Sequence, residues 1–283
     1  MMTASFVLSD IIRAVSFVAL YIVLFLFSKW LKDTISTYKL SIELMEKNNQ
    51  AVGLAISGYY LGTAVIFAAS LLGPSRGLIQ DLMTVGGYSI LGIVLLNVSA
   101  WLTDVAVLRR FSDTAQLVQE KNLGVGAVHF GIYLATGLIA AGAVSGEGGG
   151  VFSAVAFFLL GQISLLLFSL IYERFSCYDI HGELVKHNIA AGIAFGGNVI
   201  ALAIIVMNAS SGDFVDWRRD LIEFGWSNLI AFVMLPLVRL LMDRLVIPGH
   251  SLGRDIRDDG NVAAGLLEGT CSITFAIVLA VLL

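Results

Sequence analysis

The sequence is poor in charge, in proline and in cysteine, and each shortage narrows the class of protein. Charged residues make up 13% of the 283 residues, about half of the roughly 25% that is usual in soluble domains. The three prolines and 29 glycines fit membrane helices that pack tightly. The two cysteines, Cys177 and Cys271, form no Cys-x-x-Cys motif, so neither a disulfide framework nor a zinc site is indicated.

Motifs of catalysis and of nucleotide binding are also missing. The sequence contains no Walker loop, no Gly-x-Ser-x-Gly and no His-Glu-x-x-His, which are the signatures of phosphate binding, of nucleophilic catalysis and of zinc proteases. The net charge of −4 argues against a nucleic-acid surface. We therefore expect no enzyme activity, no cofactor, no metal and no nucleic-acid partner.

Long hydrophobic runs dominate the sequence. The hydrophobic fraction is 58% and the mean hydropathy is +0.88, and a run of about 18 or more apolar residues is typical of a transmembrane helix. We expect an all-α integral membrane protein whose helices contact the lipid bilayer. The eight expected spans are Phe6–Ser28, Ala51–Leu72, Leu82–Leu108, Leu123–Val144, Val151–Tyr172, Ile189–Asn208, Leu221–Leu241 and Val262–Leu283. We expect the first span to stay in the mature protein, because it has no basic leading region and no convincing cleavage site.

Basic residues indicate the orientation of the chain. The first, third, fifth and seventh connections between spans contain twelve Lys and Arg residues, including Lys29 and Lys32, whereas the other three connections contain three. Cytoplasmic loops are enriched in Lys and Arg. We therefore expect these four connections in the cytoplasm and both termini in the periplasm.

The chain repeats itself at a spacing of 139 residues. Segments of the form Asn-x-small-x-Gly begin at Asn49 and Asn122, and recur at Asn188 and Asn261. Because four crossings are an even number, both repeats enter the membrane in the same direction. We expect two fused, parallel-oriented four-helix repeats with a pseudo-two-fold axis along the membrane normal. The expected repeats are residues 1–144 and 145–283.

Several segments resemble a known family. They are Thr37–Asn49, Tyr178–His181, Lys186–Ala194, Asp243–Gly249 and Asn261–Gly269. Nearly the whole chain resembles two tandem copies of the domain of unknown function 350, and the second copy is the closer. The first copy has Ala100, Val105 and His129 where the second has Arg239, Arg244 and Glu268. The resemblance implies a bacterial inner-membrane protein, and it supplies neither an activity nor catalytic residues.

Four asparagines stand where alternate spans re-enter the membrane from the expected cytoplasmic side. They are Asn49, Asn122, Asn188 and Asn261. Asparagine is a favoured N-cap, because its side chain satisfies a backbone N–H that has no partner in the first helical turn. Alternatively, the four helix N-termini bind a phosphate or an anionic lipid headgroup, because their dipoles favour negative charge.

Glycines with close spacing recur in the spans that follow these asparagines. Small residues allow transmembrane helices to approach each other closely, so we expect the second, fourth, sixth and eighth helices to pack together at the centre. A permeation path is the alternative use of such a face. The glycines concerned are Gly53, Gly58, Gly62, Gly126, Gly131, Gly192, Gly196, Gly265 and Gly269.

Two ionisable residues inside these spans are related by the repeat. Glu268 and His129 each follow the glycine of an Asn-x-small-x-Gly segment by three residues, which places them roughly 10 Å into their helices. Because burying an ionisable group in a membrane is costly, such a group is a candidate functional site. The two residues either relay a proton or hold a cation, or they form a structural hydrogen bond between the halves.

Three other charged residues lie near the expected membrane. Arg239 and Asp243 are four residues apart, a spacing at which we expect them to neutralise each other on one helix. Asp104 corresponds to Asp243 but has Ala100 in place of the arginine. Asp104 therefore needs a partner from another helix.

Two functions remain as alternatives. The first is a channel or carrier for a proton, small ion or small solute, and it depends on Glu268 and His129. The second is a non-conducting membrane component that binds lipid, including anionic lipid, or organises partner proteins during envelope stress. It depends on the glycine packing and on the basic connections. Either function is compatible with a homo-oligomer or with a membrane partner protein.

Overall fold

Long helices make up most of the part of the chain that the structure describes. This computed structural model describes residues 2–106, 115–146, 148–176, 178–242, 244 and 251–283, and it describes their side chains except for 2–7 and 100–106. The long helices are α1 (Met2–Ile35), α2 (Gln50–Ser70), α3 (Leu78–Ala106), α4 (Leu123–Val144), α5 (Gly150–Phe175), α7 (Ile189–Ser210), α8 (Trp217–Leu241) and α10 (Val262–Leu282). The short ones are α6 (Ile180–Val185), α9 (Leu252–Asp258) and two π-helical turns, Ile42–Glu46 and Ala115–Gln119.

The eight long helices are long and apolar enough to cross a membrane, which confirms the expected all-α membrane class. The expected and observed bounds agree best at α4, which spans Leu123–Val144 in both. At α1 the helix continues past Ser28 to Ile35. Lys29 and Lys32 therefore lie in the last turns of a helix and not in a connection, where their charge suits the negative end of the helix dipole.

One local motif begins α2, α4, α7 and α10. Before each helix, a short helical turn leads into a residue with left-handed backbone, and the next residue is the capping asparagine. The left-handed residues are Asn48, Lys121, His187 and Gly260, with φ of 46°, 50°, 63° and 57°. The caps are Asn49, Asn122, Asn188 and Asn261, whose side chains each accept a hydrogen bond from one or two backbone N–H groups of the first turn. The chain thus makes the same re-entry four times.

Helices α2, α4, α7 and α10 pack side by side in that order and form one row, while α1, α3, α5 and α8 pack against the row. The contact between α4 and α7 joins the two parallel four-helix repeats. The middle helices of the row, α4 and α7, are the most buried. Of an 18-residue stretch in each span, 83% is buried in α4 and 78% in α7, against 50% in α2 and 28% in α10. The row is open, since α2 and α10 at its ends do not pack along each other.

Glycines set the spacing of the row. An added Cβ at Gly131 would lie 2.4 Å from Cα of Gly196, and at Gly197 it would lie 2.3 Å from Cα of Gly269. These distances are shorter than van der Waals contact, so the backbones themselves touch and a larger side chain does not fit. Gly53 differs, because an added Cβ there would meet only the Leu44 side chain, at 3.6 Å.

Candidate functional site

Glu268 is fully buried on α10, about two helical turns from the start of that helix. Its Oε1 accepts hydrogen bonds from the Tyr172 hydroxyl at 2.6 Å and from the Asn198 amide at 3.3 Å. The Ser272 hydroxyl donates to Asn198 Oδ1 at 2.9 Å and fixes that amide. Helices α5, α7 and α10 therefore meet at one carboxylate.

Arg239 on α8 supplies the charge that opposes this carboxylate. Its Nε lies 3.4 Å from Glu268 Oε1, and its Nη1 donates to the Ser176 hydroxyl at 3.0 Å. The guanidinium also lies over the rings of Tyr172 and Tyr178, 5.3 and 5.7 Å from their centroids. Burial and the nearby carboxylate raise the pKa of Tyr178, outside the spans, to about 12, so this phenol stays neutral. We call these residues, with Asn198 and Ser272, the Glu268 cluster.

The second carboxylate oxygen of Glu268 is in a different position. Oε2 is buried and has no hydrogen-bond partner among the described residues. A groove of about 260 Å³ between α5, α7 and α8 reaches the cluster and is lined by Tyr172, Asn198 and Arg239. The described residues thus hold the carboxylate through one oxygen, while the other faces none of their donors.

The first repeat has its own buried polar cluster, which centres on Lys32. Its Nζ donates to the Tyr133 hydroxyl at 2.7 Å and lies 5.4 Å from the ring centroid of Tyr59. The Asn97 amide donates to the Tyr59 hydroxyl at 3.0 Å. Tyr59 corresponds to Asn198 under the repeat. Equivalent places in the two repeats therefore hold a lysine among tyrosines in one and a carboxylate with an arginine in the other.

His129 belongs to this Lys32 cluster and not to the Glu268 cluster. It is 3% exposed, and its ring centroid lies 5.7 Å from that of Tyr133. Helix α7 lies between α4 and α10 in the row, and within the described part of the chain no hydrogen bond or ion pair joins His129 to Glu268. The repeat makes the two positions equivalent, but equivalence places them one helix apart and not in contact.

At three of the four caps, the asparagine also binds the side chain of the short helical turn before it. The Asn49 amide donates to Glu43 at 3.2 Å, and Lys47 donates to the same carboxylate at 2.6 Å. Burial alone would raise the pKa of Glu43, but the hydrogen bonds from Lys47 and Asn49 and the charge of Lys47 keep it below its ordinary value. Glu183 holds Asn188 in the same way, at 2.8 Å. A buried carboxylate beside Asn49 and beside Asn188 opposes the binding of an anion at those two helix ends.

The cap asparagines also connect neighbouring units. Three of them donate from Nδ2 to a main-chain carbonyl in the short turn before the next cap. The pairs are Asn49 to Leu117 at 2.8 Å, Asn122 to Leu184 at 2.7 Å and Asn188 to Ile256 at 2.7 Å. Asn261 is exposed, and its Nδ2 donates to no acceptor in the described ranges.

Two of the predicted charged sites fall outside what the structure describes. Asp243 and the side chain of Asp104 are not among the described residues. Elsewhere, ligand atoms of Glu173, Asp179 and His181 lie within 4.8 Å of one another. All three side chains are partly or fully exposed, so we assign no metal to them.

Comparison with known proteins finds one family and two transmembrane relatives. The family described as Domain of Unknown Function (DUF350) matches residues 5–144 and 148–283. A UPF0719 transmembrane protein of Aquifex aeolicus (strain VF5) is 23% identical over 267 residues, which are 91% of this chain and 96% of that protein.

A shorter relative matches one repeat. The UPF0719 transmembrane protein YshE of Bacillus subtilis (strain 168) is 25% identical over 126 residues, 44% of this chain and 88% of that protein. That relative is therefore about one four-helix repeat long. No solved structure matches the chain significantly.

Proposed function

The chain belongs to the DUF350 family and is a polytopic membrane protein, and we propose that it conducts protons through the Glu268 cluster as a channel or carrier. Ionisable residues in membrane spans are rare, because their burial is costly, and they mark ion and proton paths. We further propose that the protein lies in a bacterial inner membrane, with the Asn-capped helix ends in the cytoplasm and both termini in the periplasm. The basic connections support this orientation.

The observation that carries the proposal is the uneven environment of the Glu268 carboxylate. Tyr172, Asn198 and Arg239 all approach Oε1, while Oε2 is buried and has no partner among the described residues. A buried acceptor without a partner costs about 1–3 kcal/mol, a cost that a purely structural ion pair would be expected to remove. A proton delivered to Oε2 removes it and leaves the hydrogen bonds to Oε1 in place.

Arg239 favours a proton over a metal cation as the transported species. Its guanidinium already neutralises the carboxylate and would repel a second cation at the same site. When Oε2 takes up a proton, Glu268 becomes neutral and its attraction for Arg239 weakens. The Ser176 hydroxyl and the Tyr178 ring, which Arg239 already contacts, remain to hold the guanidinium. Loss of the proton restores the ion pair.

Proton flux into liposomes tests the proposal. The purified protein is reconstituted with a pH-sensitive dye inside the vesicles, and a pH step is applied outside with valinomycin and potassium to hold the membrane potential. We expect flux above that of empty vesicles, and we expect Glu268→Gln to abolish it. Glu223→Gln is the matched control, because Glu223 is exposed and pairs with Arg219 at the start of α8. Thermal unfolding in detergent confirms that each variant is folded.

A second function is favoured by a different observation, the open row of helices. An open row with unpaired end faces suits a non-conducting component that organises copies of itself or other membrane proteins. Wild-type protein that is folded and inserted, yet gives no flux above empty vesicles, would refute proton conduction and favour this second function. Equal flux in the parent and in Glu268→Gln would refute the role of Glu268.

A further inference from the structure

The contacts inside the row of α2, α4, α7 and α10 are three copies of one interface. In each, the glycine four residues after a cap asparagine lies against the backbone two residues after the preceding cap asparagine. An added Cβ would lie 2.7, 2.1 and 2.4 Å from a carbonyl oxygen in the pairs Gly126 with Ala51, Gly192 with Gly124, and Gly265 with Ala190. The same offset thus recurs at every step along the row.

A second set of contacts repeats one and a half turns further into the membrane. There, the residue nine positions after a cap asparagine touches the residue eight positions after the next cap asparagine along the row. The pairs are Gly58 with Phe130, Gly131 with Gly196, and Gly197 with Gly269. Each helix therefore uses one face towards the preceding helix and a different face towards the following one. Such head-to-tail contacts are heterologous, and they continue until rotation closes them or a chain ends.

In this chain the pattern stops at α2 and at α10, with one half of an interface left open at each. On α2 the positions that would meet a preceding helix are Gly53, which is half-buried, and Ser57, which is exposed. On α10 the positions that would meet a following helix are Ala263 and Thr270, both exposed. All four are small residues, as the corresponding internal positions mostly are.

The polar contacts stop at the same places. Asn49, Asn122 and Asn188 each donate to a main-chain carbonyl in the short helical turn before the next cap. In each case the accepting residue directly follows Glu183 or the residue that corresponds to Glu183 in that turn. The fourth donor, Nδ2 of Asn261, has no acceptor within the described part of the chain. The corresponding fourth acceptor is Leu44, the residue after Glu43. The unused donor and its matching acceptor lie at opposite ends of the same row.

We propose that α10 of one copy docks on α2 of a second copy of this chain, through the same interface that joins the helices within it. Lipid would cover the apolar part of these faces, but it offers no fixed carbonyl for Asn261, whereas a second copy supplies Leu44. All copies then have the same orientation in the membrane, and the proposed assembly is a ring, which head-to-tail contacts form when their repeated rotation closes. The single-repeat relative is compatible with this arrangement, because a contact like that of α4 with α7 could form only between its separate chains.

Cysteine cross-linking tests the proposed contact. In a background with Cys177→Ser and Cys271→Ser, one chain carries Ser57→Cys and a differently tagged chain carries Thr270→Cys. When the two are co-expressed and membranes are treated with a mild oxidant, we expect a disulfide-linked dimer that contains both tags. Disulfides need Cα atoms within about 7 Å, which backbone contact between these positions would satisfy. Both residues are exposed and close to cysteine in size, so the folded chain is little perturbed.

The matched control replaces Thr270→Cys by Phe275→Cys. Phe275 is also exposed on α10, but five residues at about 100° each turn it about 140° away from Thr270. We expect no mixed dimer with this variant. Dimers from Ser57→Cys alone or from Thr270→Cys alone would show a symmetric contact and would overturn the proposal. A chain that carries both Ser57→Cys and Thr270→Cys should give a ladder of products, which only a head-to-tail contact can produce.

The mass of the unmodified protein gives an independent result. Native mass spectrometry from mild detergent or lipid nanodiscs should show a fixed copy number greater than one, and Thr270→Trp should reduce it while thermal unfolding of the single chain is unchanged. A monomer, together with the absence of mixed cross-links in native membranes, would overturn the proposal. Neither measurement depends on proton flux, so the oligomer and the proposed conduction can fail separately.

Discussion

We expect Gly192→Ala to destabilise the protein, although alanine favours helices. An added Cβ at Gly192 would lie 2.1 Å from the carbonyl oxygen of Gly124 and 2.8 Å from its Cα. Because these atoms are backbone, they cannot turn away, and α4 and α7 must separate by about 1 Å to reach ordinary contact distances. Overpacking of this kind costs about 1–3 kcal/mol, whereas the change from glycine to alanine within a helix gains about 1 kcal/mol.

Gly225→Ala isolates the packing contribution. Gly225 lies within α8 and an added Cβ there meets nothing within 4 Å, so this variant gains the helix preference without the clash. The stabilities of the two variants should therefore differ by about 1–3 kcal/mol. Thermal unfolding in detergent, followed by circular dichroism, measures the difference as several degrees in Tm. If Gly192→Ala melts at or above the temperature of Gly225→Ala, the helices of the row are not in backbone contact.

Three further predictions concern the charged sites and the open end of the row. Glu268→Gln should destabilise the fold by up to about 3–5 kcal/mol, because it removes the carboxylate from the buried pair with Arg239, and adding Arg239→Gln should cost less than the sum of the single changes in unfolding experiments. The folded-state pKa of Glu43 lies below its ordinary value, so the ionised carboxylate stabilises the folded protein above about pH 4.3. This stabilisation is lost as the pH falls through the folded-state pKa. Glu43→Gln should therefore make the free energy of unfolding less dependent on pH in this acidic range. Gly53→Leu should leave single-chain Tm nearly unchanged yet lower the copy number measured by native mass spectrometry, since an added Cβ there meets only the Leu44 side chain, at 3.6 Å.

The sequence predicts the membrane architecture well because its signals are local and repeated. Eight apolar runs, interrupted by polar connections, predict eight helices, and the structure confirms them. The asparagines at a spacing of 139 residues indicate duplication, and the family match in two tandem segments agrees with it. Hydrophobicity and repetition report which segments cross the membrane, but neither reports which face of a helix meets which neighbour.

The polar clusters could not be predicted, because they depend on contacts between helices. The sequence places Asp243 four residues from Arg239, a spacing that suggests a pair on one helix, but it gives no sign of the contact that Arg239 makes with Glu268 on α10. The sequence also suggests one site for His129 and Glu268, whereas the structure has α7 between their helices. The sequence places Lys32 in a connection, because it follows the apolar run Phe6–Ser28, whereas the structure has it buried on α1.

Duplication gives this chain a freedom that an assembly of identical single repeats lacks. The interfaces between α2 and α4 and between α7 and α10 are equivalent, but the first holds Lys32 beside His129 and the second holds Glu268 beside Arg239. At the intervening interface, the position that corresponds to Glu268 is the apolar Phe195. A ring of this chain would therefore alternate cationic and carboxylate clusters, separated by apolar contacts. Because the contacts along the row are made mostly by small residues that recur in both repeats, the charged residues that differ between the two repeats are the part of the structure for which packing alone gives no reason.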